Sequence, residues 1–75
     1  MTKKITFKQA KNKAIKYLRG GADSWFDDRE YRFAADFEDG AEIAEEAKNW
    51  NDLKQAFKVA KETKAYLKLL KGEEI

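Results

Sequence analysis

The sequence predicts a small α+β domain in the order α-β-β-α, with two amphipathic helices packed on an antiparallel β-hairpin. Three observations support this fold class. Towards both ends of the chain, apolar residues recur at steps of three and four, which is the period of a helix with one buried face. From Tyr31 to Glu38, apolar and polar residues alternate, which is the period of a strand. Asp39-Gly40 follows directly and is typical of a hairpin turn.

The first predicted helix covers residues 6–19. Thr6 and Gln9 have the spacing of an N-terminal capping box, and a stripe of apolar residues follows. Gly20-Gly21 predicts the end of this helix, because glycine readily adopts the left-handed conformation of a helix C-terminus. A linker is expected over residues 22–28. The apolar stripe consists of Phe7, Ala10, Ala14, Tyr17 and Leu18.

The hairpin is predicted to pair residues 29–38 with residues 41–46. A three-residue loop places Phe37 opposite Ile43 and so keeps both on the buried face. Residues 41–48 also form a good helical string, since Ala and Glu are strong helix formers. The alternative architecture is therefore mainly α, with three or four helices. A further variant places Trp25 and its neighbour on an additional strand.

The last predicted helix covers residues 52–71. Asn49 or Asn51 is its expected N-cap, and Asp52 in the first turn suits the helix dipole. Gly72 is expected to end it, and a frayed tail of residues 73–75 follows. The predicted apolar stripe consists of Leu53, Ala56, Phe57, Ala60, Leu67 and Leu70.

The composition excludes most kinds of chemistry. A chain of 75 residues predicts a single domain, residues 1–75, with a thin core and little room for an enclosed cleft. It contains no Cys and no His, which removes nearly all transition-metal sites and the usual catalytic bases. We therefore expect no enzyme, no cofactor and no metal site. The lack of Cys and of an apolar leader predicts a cytoplasmic protein.

Charge is divided into blocks along the chain. The net charge is +7 over residues 1–22, −8 over residues 23–46 and +3 over residues 47–75. The acidic block also holds aromatic residues of the types that are enriched in protein interfaces. The pattern predicts a small binding protein, an inhibitor or adaptor that occupies a basic groove of a nucleic-acid-handling partner. The candidate partner-binding residues are Trp25, Asp27, Asp28, Glu30, Asp36, Glu38, Asp39 and Glu42.

Two alternatives remain open at this stage. Lysine accounts for 13 of the 16 basic residues, which favours weak binding of nucleic-acid phosphates without sequence specificity. A homodimer through the exposed edge of the hairpin is the second alternative. The candidate phosphate-binding residues for the first alternative are Lys8, Lys11, Lys16, Lys54, Lys58, Lys61 and Lys68.

In size, lack of Cys and His, and charge order, the chain resembles small accessory proteins of bacteria and their phages.

Overall fold

The structure is a computed structural model that describes residues 5–73 and 75, and these residues form four α-helices. The helices are α1 (Phe7–Asp27), α2 (Tyr31–Glu46), α3 (Trp50–Val59) and α4 (Thr63–Leu70). No strand occurs among the described residues. The predicted α+β class and its hairpin are therefore wrong, and the hairpin edge on which the predicted dimer depended does not occur in the described part of the chain. The alternative, a mainly α chain of three or four helices, has the observed number of helices.

The helices α1 and α2 form an antiparallel pair at the centre of the fold. Lys11, near the start of α1, donates a hydrogen bond to the carbonyl oxygen of Ala47, just after the end of α2 (2.9 Å). At the other end of the pair, the ring of Trp25 packs on the ring of Phe33. The helix α3 packs mainly on α2, and α4 contacts both α3 and α1.

The hairpin prediction fails because residues 31–46 carry a helical period as well as a strand period. In α2 the buried residues fall at steps of three and four, so Phe37 is buried while Tyr31 and Phe33 are exposed. Gly40 lies inside the helix and forms no turn. A Cβ atom at Gly40 would lie 2.7 Å from the carbonyl oxygen of Ala56, so the missing side chain allows α2 and α3 to approach closely.

The two glycines at positions 20 and 21 do not end α1, which continues for two further turns through the predicted linker. A Cβ atom at Gly21 would lie 2.3 Å from the aromatic ring of Phe37. Gly21 is thus required by the packing of α2 against α1. Gly20 has no such role, since a Cβ atom there would meet no other atom within 4 Å.

The helices α1 and α3 are each followed by a residue in the left-handed conformation that is not a glycine. Arg29 (φ 63°) and Lys61 (φ 61°) both adopt the left-handed conformation. The amide of Glu30 donates to the carbonyl of Trp25 (2.9 Å), and that of Glu62 donates to the carbonyl of Phe57 (2.8 Å). These are the hydrogen bonds of Schellman motifs, which are usually formed by glycine. The predicted single helix over residues 52–71 is therefore wrong, because the motif at Lys61 divides it into α3 and α4.

Three other helix ends agree with the sequence. The amide of Gln9 donates to the Thr6 hydroxyl, and the Gln9 side chain accepts from the Thr6 amide (3.2 Å each), which confirms the capping box. Asn49 caps α3 by accepting from the amide of Asp52 (2.9 Å). Gly72 (φ 76°) follows α4, as predicted. The tail differs from the prediction at Ile75, which packs against the core, while Glu74 lies outside the described residues.

The core is built mainly from alanine and a few large side chains. The largest fully buried side chains are Phe57, Leu18, Leu53 and Leu69. The division between α3 and α4 rotates α4 relative to the predicted stripe. Leu69 is buried as a result, whereas Leu67 and Leu70, which were predicted to be buried, are exposed.

Candidate functional site

The turn between α1 and α2 carries four aromatic residues, which we call the aromatic corner: Trp25, Phe26, Tyr31 and Phe33. The rings form two pairs across the turn. The centroids of Trp25 and Phe33 are 4.9 Å apart, and those of Phe26 and Tyr31 are 5.3 Å apart in an edge-to-face arrangement. Three of the four side chains remain exposed, at 62% for Phe26, 58% for Tyr31 and 43% for Phe33. Apolar area of this kind, held in place by ring pairs, is suited to a binding surface.

Four acidic residues, together with the exposed Arg29 and Arg32, lie in the same stretch of chain as the aromatic corner. Asp23, Asp27, Asp28 and Glu30 are all exposed. Within residues 5–73 and 75, no basic side chain lies within ion-pair distance of any of the four. Their negative charge is therefore not neutralised by direct partners in the described part of the chain.

The acidic side chains of α2 divide into two groups. Glu38, Asp39 and Glu42 are exposed on the side of α2 that faces away from the core. Asp36 is half-buried and lies 3.6 Å from the ammonium group of Lys61, while Glu45 forms an ion pair with Arg19 of α1. The flanking segments thus neutralise part of the acidic block but not the part at the corner.

Of the residues at this corner, the sequence-based candidates included Trp25 and three of the four acidic residues, but not the other three aromatic residues. Trp25, which was a candidate, is half-buried and packs against the core as well as on Phe33, so it also has a structural role. Phe26, Tyr31 and Phe33 were not candidates, although all three are exposed. Phe33 was assigned to the buried face of a strand. The helical spacing of Ala34, Phe37 and Ala41 was the signal that could have placed Phe33 outside the core.

The candidate lysines lie on several elements. Lys8 and Lys16 are exposed on α1, Lys54 and Lys58 are one turn apart on α3, and Lys61 and Lys68 belong to the turn before α4 and to its last turn. Lys11 donates to the carbonyl that ends α2, which is a favourable position for a cation at the negative end of a helix dipole. Of the seven lysines, Lys11 therefore has a structural role.

A groove of about 840 Å³ runs beside α1, with Gly20, Tyr17 and Trp25 on one side and Phe37 and Glu62 on the other. Burial, together with the nearby Glu62 carboxylate and a hydrogen bond to it, raises the pKa of the Tyr17 hydroxyl above its usual 10.0. A phenol whose pKa is raised is a poor general base at neutral pH. No cluster of acidic residues that could hold a metal ion occurs within the described chain.

Two further findings concern membrane spans and the comparison with known proteins. Over the described residues, none of the helices combines the length and apolar character that a membrane span requires. The chain matches no protein-family model, no curated protein and no solved structure.

Proposed function

We propose that this chain is a small, non-enzymatic binding protein that docks on another protein through the aromatic corner. The observation that carries the proposal is the exposure of Phe26, Tyr31 and Phe33 in a segment whose four exposed acidic side chains have no ion-pair partner among the described residues. Its partner has an apolar cleft lined by basic residues, such as the nucleic-acid groove that an inhibitor or adaptor would occupy. The absence of cysteine suits a reducing cytoplasm.

The exposed aromatic area is large enough to anchor an interface. An aromatic side chain covers about 150–250 Å², so each half-exposed ring has roughly 100 Å² left to bury, worth about 2.5 kcal/mol at about 25 cal/mol per Å². Three such rings together offset much of the entropy that association costs. Many protein interfaces have the same arrangement, a compact aromatic centre with a polar rim.

The corner is also preorganised. The Schellman hydrogen bonds at Arg29 fix the course of the chain between the helices, and the two ring pairs fix the side chains. A partner therefore has few rotamers to order on binding, which lowers the entropic cost of association. The acidic rim adds electrostatic attraction for a basic partner, so the association rate should fall with rising salt.

The proposal is tested with three forms of the tagged protein: wild type, Phe26→Ser/Tyr31→Ser and Leu67→Ser/Leu70→Ser. The last is a matched control, because Leu67 and Leu70 are also exposed apolar residues but lie on α4. Each form captures proteins from a nuclease-treated extract of the cells that make the chain. We expect a partner that the wild type and the control retain and the corner variant loses. For that purified partner, the corner variant should bind at least about tenfold more weakly, a loss of about 1.4 kcal/mol or more.

Two outcomes would refute the proposal. A corner variant that retains every partner with unchanged affinity shows that the aromatic residues do not contribute. If the wild type captures proteins from an untreated extract but none from the nuclease-treated one, those proteins are bridged by nucleic acid, and that result would instead favour binding through the lysines.

A further inference from the structure

The exposed face of α1 carries a symmetric charge pattern. Lys13, Lys16, Gly20, Asp23 and Asp27 follow at steps of three and four, so they lie on one face of the helix, opposite its buried residues. We call these five residues the outer face of α1. Its two lysines precede Gly20 and its two aspartates follow it. Lys13 and Asp27 are each seven residues from Gly20, a distance of about 10.5 Å along the helix axis.

No contact within the chain explains why position 20 is a glycine. Glycine in a helix interior costs about 1 kcal/mol relative to alanine. At Gly21 and Gly40 this cost is offset by close packing, because a Cβ atom would collide with Phe37 or Ala56. At Gly20 a Cβ atom would meet nothing within 4 Å, and the bare backbone lies beside the open groove along α1. A glycine at such a position allows the backbone of another helix to approach closely.

We propose that a second copy of this chain docks on the outer face of α1, with the two α1 helices antiparallel and crossing at Gly20. In that arrangement Lys13 lies level with Asp27 of the second copy, and Lys16 lies within about 1.5 Å of the level of its Asp23. Each pairing occurs twice, because a two-fold axis through Gly20 relates the copies. The contact is isologous and closes as a dimer without exposing a further binding face.

The charged members of this face are available for the contact. Asp23, Asp27 and Lys16 are exposed and Lys13 is half-buried. In the described part of the chain, neither of these lysines and neither of these aspartates has an ion-pair partner. A parallel arrangement would place lysines against lysines, so the charge pattern selects the antiparallel one.

This surface is distinct from the aromatic residues that carry the proposed function. Phe26 lies about a third of a turn away from Gly20 around α1, so Phe26 and Tyr31 do not belong to the helix crossing. Asp23 and Asp27 are shared between the two surfaces. The test of partner binding changes neither of them, and the dimer tests include variants at Gly20 and at the two lysines that leave both aspartates in place. If the test of partner binding fails, the proposal of a dimer is unaffected. If the dimer test fails, the proposed function is unaffected.

The dimer is tested by sedimentation velocity at rising protein concentration, at low and at high salt. We expect a monomer–dimer equilibrium whose dissociation constant rises with salt, because the four ion pairs are exposed at the rim. The variant Gly20→Gln should keep the helical content, since Gln is a better helix former than Gly. It should raise the dissociation constant at least about tenfold by holding the two helices apart. A wild-type monomer at every concentration, or an unweakened dimer in Gly20→Gln, would overturn the proposal.

Charge exchange gives a second, independent measurement. Lys13→Glu/Lys16→Glu and Asp23→Lys/Asp27→Lys should each be monomeric, because like charges then face each other at both ends of the contact. An equal mixture of the two variants should restore a dimer, since every pair is again of opposite sign. Lys54→Glu/Lys58→Glu makes the same change of charge on α3 and should leave the wild-type dimer intact. A mixture that stays monomeric, or a dimer lost in the α3 control, would contradict the antiparallel contact.

Discussion

Adjacent glycines in α1 should respond to the same substitution with opposite signs. Gly20→Ala places a methyl group in open space, so it should stabilise the fold by about 0.5–1 kcal/mol through helix propensity and a less flexible unfolded chain. Gly21→Ala places it 2.3 Å from the ring of Phe37. That ring is buried against the ring of Tyr17, so the new methyl group would have to displace it from this packing.

The magnitude for Gly21→Ala follows from two opposing effects. Overpacking of a core typically costs about 1–3 kcal/mol, and a contact of 2.3 Å places this substitution in the upper part of that range, at about 2–3 kcal/mol. The gain in helix propensity returns about 1 kcal/mol. We expect a net loss of about 1–2 kcal/mol. The two variants should therefore differ by about 2 kcal/mol, or by about 8–16 °C in melting temperature for a domain of this size.

Urea denaturation followed by far-ultraviolet circular dichroism measures both variants, at a concentration where the chain is monomeric. Gly21→Ala/Phe37→Leu is the matched control, because the smaller leucine leaves room for the new methyl group. The cost of Gly21→Ala should be smaller in the Phe37→Leu background than in the wild type. The reasoning would be refuted if Gly21→Ala stabilised the protein as much as Gly20→Ala does.

Three further predictions concern packing, helix termination and pH. Gly40→Ala should destabilise the fold by about 2 kcal/mol in urea denaturation, because the methyl group would lie 2.7 Å from the backbone of Ala56; unchanged stability would contradict the close helix contact. Arg29→Gly should stabilise by about 0.5–1 kcal/mol, since glycine adopts the left-handed conformation without strain; a loss of stability would show that the Arg29 side chain matters more than its backbone. Burial raises the pKa of Tyr66 and, with Glu62, that of Tyr17, so the folded state favours the neutral phenols. The stabilisation from these neutral phenols is complete below about pH 10 and is lost as the pH rises through the raised pKa values. The free energy of unfolding of Tyr17→Phe/Tyr66→Phe should therefore fall less steeply with alkaline pH than that of the wild type, as measured by urea denaturation.

The local signals in the sequence predicted helix starts better than helix ends. Thr6 and Asn49 cap their helices by hydrogen bonds within a few residues, so the sequence alone contains the information. The ends at Arg29 and Lys61 carry no such signal, because both adopt a conformation that sequence rules reserve for glycine. Three glycines that resemble helix ends or turns instead serve as interior positions of helices.

Long-range contacts explain why two of those glycines, Gly21 and Gly40, misled the prediction. A side chain at position 21 would collide with the Phe37 ring on α2, and one at position 40 would collide with the Ala56 carbonyl on α3. Neither neighbour can be identified before the helices are placed. The same limit applies to the candidate site. Its acidic residues follow from composition, but the exposure of Phe33 depends on which face of α2 meets α1.

The core and the aromatic corner of this chain are built from side chains of different size. Among the described residues, nine of the fourteen buried core residues are alanine, while three large aromatic side chains of the corner are exposed. A domain of this size has a thin core and gains most from burying its aromatic residues. Their position outside an alanine-rich core forgoes this gain, and the proposed binding role offers a reason for it.

Phe26→Ser/Tyr31→Ser should accordingly lower the free energy of unfolding by only about 1 kcal/mol, the value of one exposed ring pair. Phe57→Ala, at a fully buried position, should cost about 3–5 kcal/mol. Both are measured by urea denaturation beside the binding assay. If the corner variant lost as much stability as Phe57→Ala, the corner would be part of the core, and a loss of binding in that variant would reflect unfolding. A small loss of stability with a large loss of binding is the result that only an exposed docking surface produces.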